Sequence, residues 1–420
     1  MISKWQWLLA QIGRTLWIRA SLFALLGVGA ALLAIAAERL YPGEAPMDLG
    51  AEAVNDILDI LATSMLAVTT FSLTVMVSAY GSATANIAPR ATRLLMQDTT
   101  TQNVLGTFLG SFLFSLVGII ALHTEVYGTR GRLVLFLFSL LVVALIAITM
   151  LRWIEHLSSF GQMADTTERV EAAIVRAICS RVDHPSAGTS ILFDPHTEIP
   201  PEATPVYPDQ VGYVMHIDIQ GLDEWACENQ GQVYITSPPG SFVHRPEPLA
   251  WIMPPCEEVS KDVCQCFTLG KERSFDQDPR YGMAVMSDIA SRALSPGVND
   301  QGTAIDVLGR VVRVLTYWSE GEELGPLGTM QRRRVHVPPT ELGDLFDEMF
   351  TPIARDGAGT MEVQVKLHEA LRMLAQYGSA YRSNAQRHTR LALLRAERAL
   401  QLDEDKARVR QLAERTLSLC

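Results

Sequence analysis

The chain alternates between long stretches empty of charge and stretches of ordinary mixed character. No Asp, Glu, Lys or Arg falls within 20–37, 60–89, 99–122 or 133–151. A bilayer core of about 30 Å is crossed by roughly 20 apolar residues in a helix. The four runs therefore predict four transmembrane helices, over about 16–37, 57–79, 104–122 and 133–151. Hydrocarbon offers the backbone no water to bond, and LVLFLFSLLVVALIAI shows none of the alternation of a barrel strand, so helix is the expected spanning form.

Polar positions inside these runs are ordered. Asp56, Asp59, Thr63, Thr70, Thr74 and Ser78 recur at steps of three, four and seven, which places them on one face of the second helix. In the third, Gly106, Gly110, Ser111, Ser115 and Gly118 give the small-residue spacing that lets helix backbones approach closely. Packing is the plainer reading of both patterns. For the second helix a wetted stripe competes, because two carboxylates stand at its outer mouth and rings of acidic residues in an oligomer attract cations. The fourth helix is apolar all round and is expected to face lipid.

Basic residues near the helix ends set orientation. Lys4, Arg14 and Arg19 precede the first helix, Arg90 and Arg93 follow the second, and Arg152, Arg169, Arg176 and Arg181 follow the fourth. The expected arrangement is N-in and C-in, which fits all but the short third loop with its Arg130 and Arg132, and it gives a large cytoplasmic C-terminal part. Trp5, Trp7 and Trp17 read as interfacial anchors, and Leu8, Leu9, Ile12 and Leu16 as an amphipathic stripe on the inner surface.

Beyond Arg152 the pattern is that of a water-facing protein. Residues 152–183 read as a helix continuing the fourth span, and the prolines of 184–210 read as a linker or wrapping loop. GYVMHIDI, QVYIT, GSFV, PLAWIMP and VCQCFTLG are strand-length pieces, with GLDEWACENQ a short helix among them. From residue 279 the chain reads as helical, over 279–294, 300–318, about 341–354, 361–381 and 384–418. The fold class is an α-helical integral membrane protein followed by a cytoplasmic α+β domain. Its expected parts are a transmembrane domain (1–152), a helical extension and Pro-rich linker (153–210), a small β-rich subdomain (211–270) and a helical subdomain (271–420).

Composition adds exclusions. Apolar residues make up 48 % of the 420, and charged residues 19 % against about 25 % in soluble domains. Six cysteines are too few for a disulfide scaffold. A net charge of −11 argues against a nucleic-acid partner. Cys264 and Cys266, two apart on an expected strand, share a face. With Cys256 and His244 upstream they still lack the spacing of a zinc site, so no metal, cofactor or catalytic set is assigned. Arginines interleaved with leucines over 382–398 read as an amphipathic helix, an interface or a solvated face.

One segment carries a family resemblance. Lys271-Glu272-Arg273-Ser274-Phe275-Asp276-Gln277-Asp278-Pro279 leads to Tyr281-Gly282, and then to Arg292-Ala293-Leu294-Ser295-Pro296-Gly297-Val298-Asn299-Asp300 with Thr303-Ala304. Together with Phe71-Ser72-Leu73-Thr74-Val75, Ala88-Pro89-Arg90 and Leu105-Gly106-Thr107-Phe108-Leu109-Gly110, this resembles the bacterial predicted-membrane-protein family known as domain of unknown function 2254. Members often carry Pro where Gln301 stands and Ser where Ala88 stands. The resemblance implies a bacterial inner-membrane location and supplies no mechanism.

Within that segment Arg273, Asp278, Arg292, Ser295, Asn299, Asp300 and Thr303 have two readings. One is an Arg–carboxylate network with a helix cap around a tight Ser-Pro-Gly turn, in which Gly297 takes a positive φ and Arg292 meets Asp278, Asp288 or Asp300. The other is a pocket for a small anionic ligand. Two functions follow. The first is a homo-oligomeric ion pathway regulated by its cytoplasmic domain. The second is a bilayer-anchored sensor or scaffold for a small anionic ligand or a protein partner. An enzyme comes last.

Overall fold

The computed structural model describes residues 4–419 except 14, 41–50, 87, 125–126, 185–186, 255–259 and 324–331. Arg14 and Cys256 lie outside the described residues. The chain divides into two compact units. One comprises Leu8–Ala85 and Thr92–Asp165, the other Met1–Trp7, Asn86–Ala91 and Thr166–Cys420.

The first unit is helical: α1 (Lys4–Gly13, whose first turn belongs to the other unit), α2 (Leu16–Leu40), α3 (Ala51–Asn86), α4 (Thr92–Met96), α5 (Thr99–His123) and α6 (Thr129–Ser159). Four stretches are long and apolar enough to cross a membrane: Trp17–Ala36, Glu52–Ser82, Thr92–His123 and Arg130–Ser158. These are the four expected from the charge-free runs. Helix α3 is longer than a span needs, since 36 residues at 1.5 Å each make about 54 Å.

Helix α5 is central. It is 61 % buried over its most apolar window, against 11–22 % for the other three. Its glycines explain this. A Cβ on Gly110 would come 2.6 Å from the Phe23 carbonyl oxygen of α2, and one on Gly106 would meet the Phe23 ring at 2.7 Å. Gly27 of α2 presses in turn on the Gly110 carbonyl. The small-residue pattern is therefore a packing seam. Asp98 caps α5, accepting from Thr101 N at 2.7 Å, and pairs with His156 of α6 at 3.0 Å. Helix α6 keeps Leu137, Leu141 and Leu151 on the outside, as its uniform greasiness predicts.

Among the described residues the second unit holds two sheets and ten further helices. After α7 (Met163–Ser180) come β1 (Thr189–Ile191), α8 (Pro195–Glu198), β2 (Thr204–Val206), β3 (Gly212–Ile217), α9 (Ile219–Glu228), β4 (Gln232–Ile235), β5 (Phe242–Val243), β6 (Ala250–Met253), α10 (Ser260–Gln265) and β7 (Phe267–Gly270). Then follow α11 (Pro279–Ala293), α12 (Gln301–Glu323), β8 (Arg332–Val337), α13 (Leu342–Asp356), α14 (Met361–Leu374), α15 (Ser379–Ala399) and α16 (Asp403–Leu417). The five-stranded sheet runs β1-β8-β4-β6-β2, the smaller one β5-β3-β7. Strand β8 is parallel to both β1 and β4, and the remaining pairings are antiparallel. Val233, Ile252 and Val335 from the large sheet, Val214 and Ile217 from the small one, and Leu222 of α9 share one core.

Several expectations fail for identifiable reasons. The helix expected over 152–183 breaks at Gly161, which takes φ +77°, a conformation open to glycine. The Pro-rich stretch contributes β1 and β2 at the two sheet edges, where a proline costs little. The piece VCQC is a helical turn, so Cys264 lies in α10 and Cys266 between α10 and β7, off the expected strand. The helix expected over 384–418 is broken at Leu400, Gln401 and Leu402. Strand β8 falls between the helices expected over 300–318 and 341–354, where the sequence pattern marks no strand.

Candidate functional site

The signature segment joins β7 to α11, and its side chains act as ties. Gln277, buried at 5 % exposure, straddles the backbone of Ile217 in β3: its Oε1 accepts from Ile217 N at 2.8 Å and its Nε2 donates to Ile217 O at 3.1 Å. Asp276 accepts from the Trp7 indole at 2.7 Å and from Ser274 Oγ at 3.0 Å. Ser180 Oγ at the end of α7 donates to the Asp276 carbonyl. Trp7 is 4 % exposed and stacks on His216, while Lys4 N donates to Asp218 Oδ2 at 2.6 Å. Trp7 is thus a buried tie and not an interfacial anchor. Trp5 and Trp17 remain exposed.

Asp278 performs two tasks. It caps α11, accepting from Tyr281 N at 3.0 Å, and it takes a two-point ion pair from Arg273, at 2.7 and 3.0 Å. Burial raises the Asp278 pKa above the usual carboxylate range, while the guanidinium opposes this. Arg273 is also raised, its pairing with Asp278 outweighing the cost of its own burial.

A cavity of about 190 Å³ opens at this end of α11. Its walls include Arg181, Asp183, Arg273, Asp278, Arg280 and Asp344. Arg181 lies 3.5 Å over the Trp318 ring and pairs with Asp183 at 3.2 Å. Asp183 also accepts from Thr340 N at 2.6 Å. Arg280 reaches Asp344 at 2.7 Å and Glu348 at 3.2 Å. Pro238, Pro239, Pro279, Pro338 and Pro339 stiffen the rim. Every guanidinium in the wall is clamped by a carboxylate before any ligand arrives.

The rest of the signature lies at the other end of α11. Ser295 Oγ donates to Arg292 O at 2.6 Å, Asn299 N to Ser295 O at 2.9 Å and Asp300 N to Ala293 O at 2.7 Å. The positive φ belongs to Asn299, at +52°, and not to Gly297. Asparagine tolerates this left-handed conformation better than most residues. Asp300 then caps α12 through Thr303, accepting from its N at 3.0 Å and its Oγ1 at 2.6 Å, which lowers the Asp300 pKa. The three carboxylates expected for Arg292 have other partners: Asp278 has Arg273, Asp300 has Thr303, and Asp288 has Arg90 at 3.2 Å. The seven signature residues therefore form two clusters, and only Arg273 and Asp278 reach the cavity.

The polar stripe of α3 points away from its own bundle. Asp56, Asp59, Thr63, Thr70, Thr74 and Ser78 are all exposed. Val54, Leu58, Leu61, Met65, Ser72 and Met76 are buried. At 100° per residue the two sets lie about half a turn apart. Thr63, Thr70 and Thr74 bond back to the carbonyls of Asp59, Leu66 and Thr70, each at 2.9 Å. Packing within the chain does not account for this stripe.

Sequence reasoning missed Trp7, Arg181, Asp183, Asp276 and Gln277 as members of this centre. Among the described residues no three His, Cys, Asp or Glu side chains are grouped to hold a metal ion.

Four helices long and apolar enough to cross a membrane, followed by a sheet-containing region and a helical array, are the features of a predicted membrane protein. The chain belongs to the family described as "Predicted membrane protein (DUF2254)", whose model matches residues 13–373. It is 26 % identical over 250 residues to uncharacterised proteins of Mycobacterium tuberculosis (strain CDC 1551 / Oshkosh) and Mycobacterium bovis (strain ATCC BAA-935 / AF2122/97). Those matches cover 57 % of this chain and 47 % of each relative, so the chain spans about half the length of the curated relatives it matches. No solved structure matches it.

Proposed function

We propose that the protein assembles as a homo-oligomer in the bacterial inner membrane, and that the outward faces of α3 from neighbouring copies line an ion pathway. The observation that carries this reading is the placement of the α3 stripe opposite the apolar face that packs on its own bundle. Ringed around a shared path, the Asp56 and Asp59 carboxylates at its outer mouth attract cations, and Thr63, Thr70, Thr74 and Ser78 offer hydroxyls along it. The N-in, C-in arrangement puts the sheet-containing unit in the cytoplasm, where it regulates the path. Reconstituted in planar bilayers, the oligomer conducts cations, and Asp59→Asn lowers cation preference. An assembled oligomer that stays silent across voltage, tension and pH rules the pathway out.

The cavity beside Arg273 supports a second reading, a membrane-anchored sensor. Three guanidiniums and the carboxylates of Asp183, Asp278, Asp344 and Glu341 line it, so its charges nearly cancel. A ligand suited to it carries donors as well as acceptors, as a mononucleotide or an amino acid does. Thermal-shift screening of those two classes, with Arg280→Ala as the control, separates a ligand site from a structural gap.

A further inference from the structure

Helix α15 has two unlike sides. Tyr381, Ala385, His388, Ala392 and Ala396 are buried. The opposite arc, about 100° wide at 100° per residue, carries Arg387, Arg390, Leu391, Leu394 and Arg398. Leu394 is 54 % exposed and Leu391 is 37 % exposed. Arg390 and Arg398 are exposed, and among the described residues neither forms an ion pair. Arg387 is held by Asp347 at 2.9 Å. The arc contains no acidic residue, and Glu397 beside it is occupied by Arg410. A solvated face needs charge but does not need leucines set between unpaired arginines, a pattern that suits a surface both apolar and negative.

We propose that this face of α15 docks on anionic lipid headgroups. The proposal is independent of the pathway reading and rests on the chain being embedded in a membrane. A bilayer is then beside every copy, while a protein partner has to be met by diffusion. Each arginine near an anionic surface raises partitioning about fivefold, too little to bind a free domain firmly. A domain tethered by membrane spans is held at millimolar effective concentration, where so weak an affinity suffices. The chain's net charge of −11 opposes approach to an anionic surface, so docking is confined to the basic face and depends on the tether.

The test uses the full chain in nanodiscs, with a solvent-sensitive fluorophore on Leu394→Cys in a background where Cys179, Cys227, Cys256, Cys264, Cys266 and Cys420 are all replaced by Ser. The expected result is a blue shift in discs containing phosphatidylglycerol, no shift in pure phosphatidylcholine, and reversal by high salt. Arg390→Glu with Arg398→Glu lowers the docked-to-free ratio by roughly 30-fold or more. Both positions are exposed, so the double variant folds, which circular dichroism verifies. Equal emission in the two lipids overturns the proposal. So does a shift that follows protein concentration in lipid-free detergent, since that assigns the face to a second copy.

Discussion

His368 of α14 is 1 % exposed, and neither ring nitrogen has a hydrogen-bond partner among the described residues. Burial pushes its pKa down from 6.5 to about 4. The folded protein thus keeps the ring neutral where the unfolded chain takes up a proton. Its contribution to stability is whole above pH 6.5 and is lost as pH falls toward 4, by about 2 kcal/mol at pH 5 and about 3 kcal/mol in all. His368→Leu is expected to flatten the fall in melting temperature between pH 7.5 and pH 5; an unchanged fall refutes the assignment. The Arg273–Asp278 pair makes a second residue-scale prediction. Arg273→Met strands a buried carboxylate and is expected to cost about 3–5 kcal/mol in thermal unfolding. Adding Asp278→Asn, which keeps the cap and removes the charge, is expected to recover most of it. The sequence points to an Arg–carboxylate network here but offers Asp278 to Arg292, and the structure pairs it with Arg273 instead. The role of Trp7 was not legible. A tryptophan beside a membrane helix reads as an anchor, and its partner Asp276 lies 269 residues away.

Helices were the legible elements. Charge-free runs and small-residue spacing reflect physics local to one helix, and they located the four spans and the α5 seam. The seam gives a sharp test: Gly110→Leu must displace the α2 backbone, since the nearest atoms are the Phe23 carbonyl. It is expected to cost upwards of about 2 kcal/mol, read as a lowered detergent melting temperature, while Gly29→Leu, with open space around it, costs little. Strands were legible in part. The pieces GYVMHIDI, QVYIT, GSFV, PLAWIMP and VCQCFTLG hold β3 to β7, whereas β1 and β2, with three residues each, and β8, with its run of arginines, are marked by neither length nor alternation. Their pairing is decided by neighbours far along the chain.

At the scale of the whole molecule, division into an apolar helical unit and a sheet-containing unit followed from composition alone. What composition could not convey is that the second unit gathers pieces from three places: the first turn of α1, the loop after α3 and everything from Thr166 near the start of α7 onward. Gln277 holds the β7–α11 junction to β3 within it. Gln277→Ala leaves the Ile217 amide and carbonyl buried without their partner, at about 1–3 kcal/mol for each group. Faster hydrogen exchange at the Ile217 amide is the expected sign. Unchanged protection there shows that the clamp is dispensable.

The insertion of β8 between β1 and β4 imposes an order on biosynthesis. Residues 189–191 and 232–235 leave the ribosome about a hundred residues before the strand that joins them. Until then, β4 has one open edge and β1 has no neighbour, a state that invites pairing with other chains. The four apolar helices, whose residues come first, are all made well before this. Nascent chains stalled after Glu323 are therefore expected to hold inserted helices beside a protease-sensitive remainder, and chains stalled far enough past Val337 for β8 to clear the exit tunnel to become resistant together. Any stop codon ahead of Arg332 removes the middle of the sheet, however much of the rest has been made.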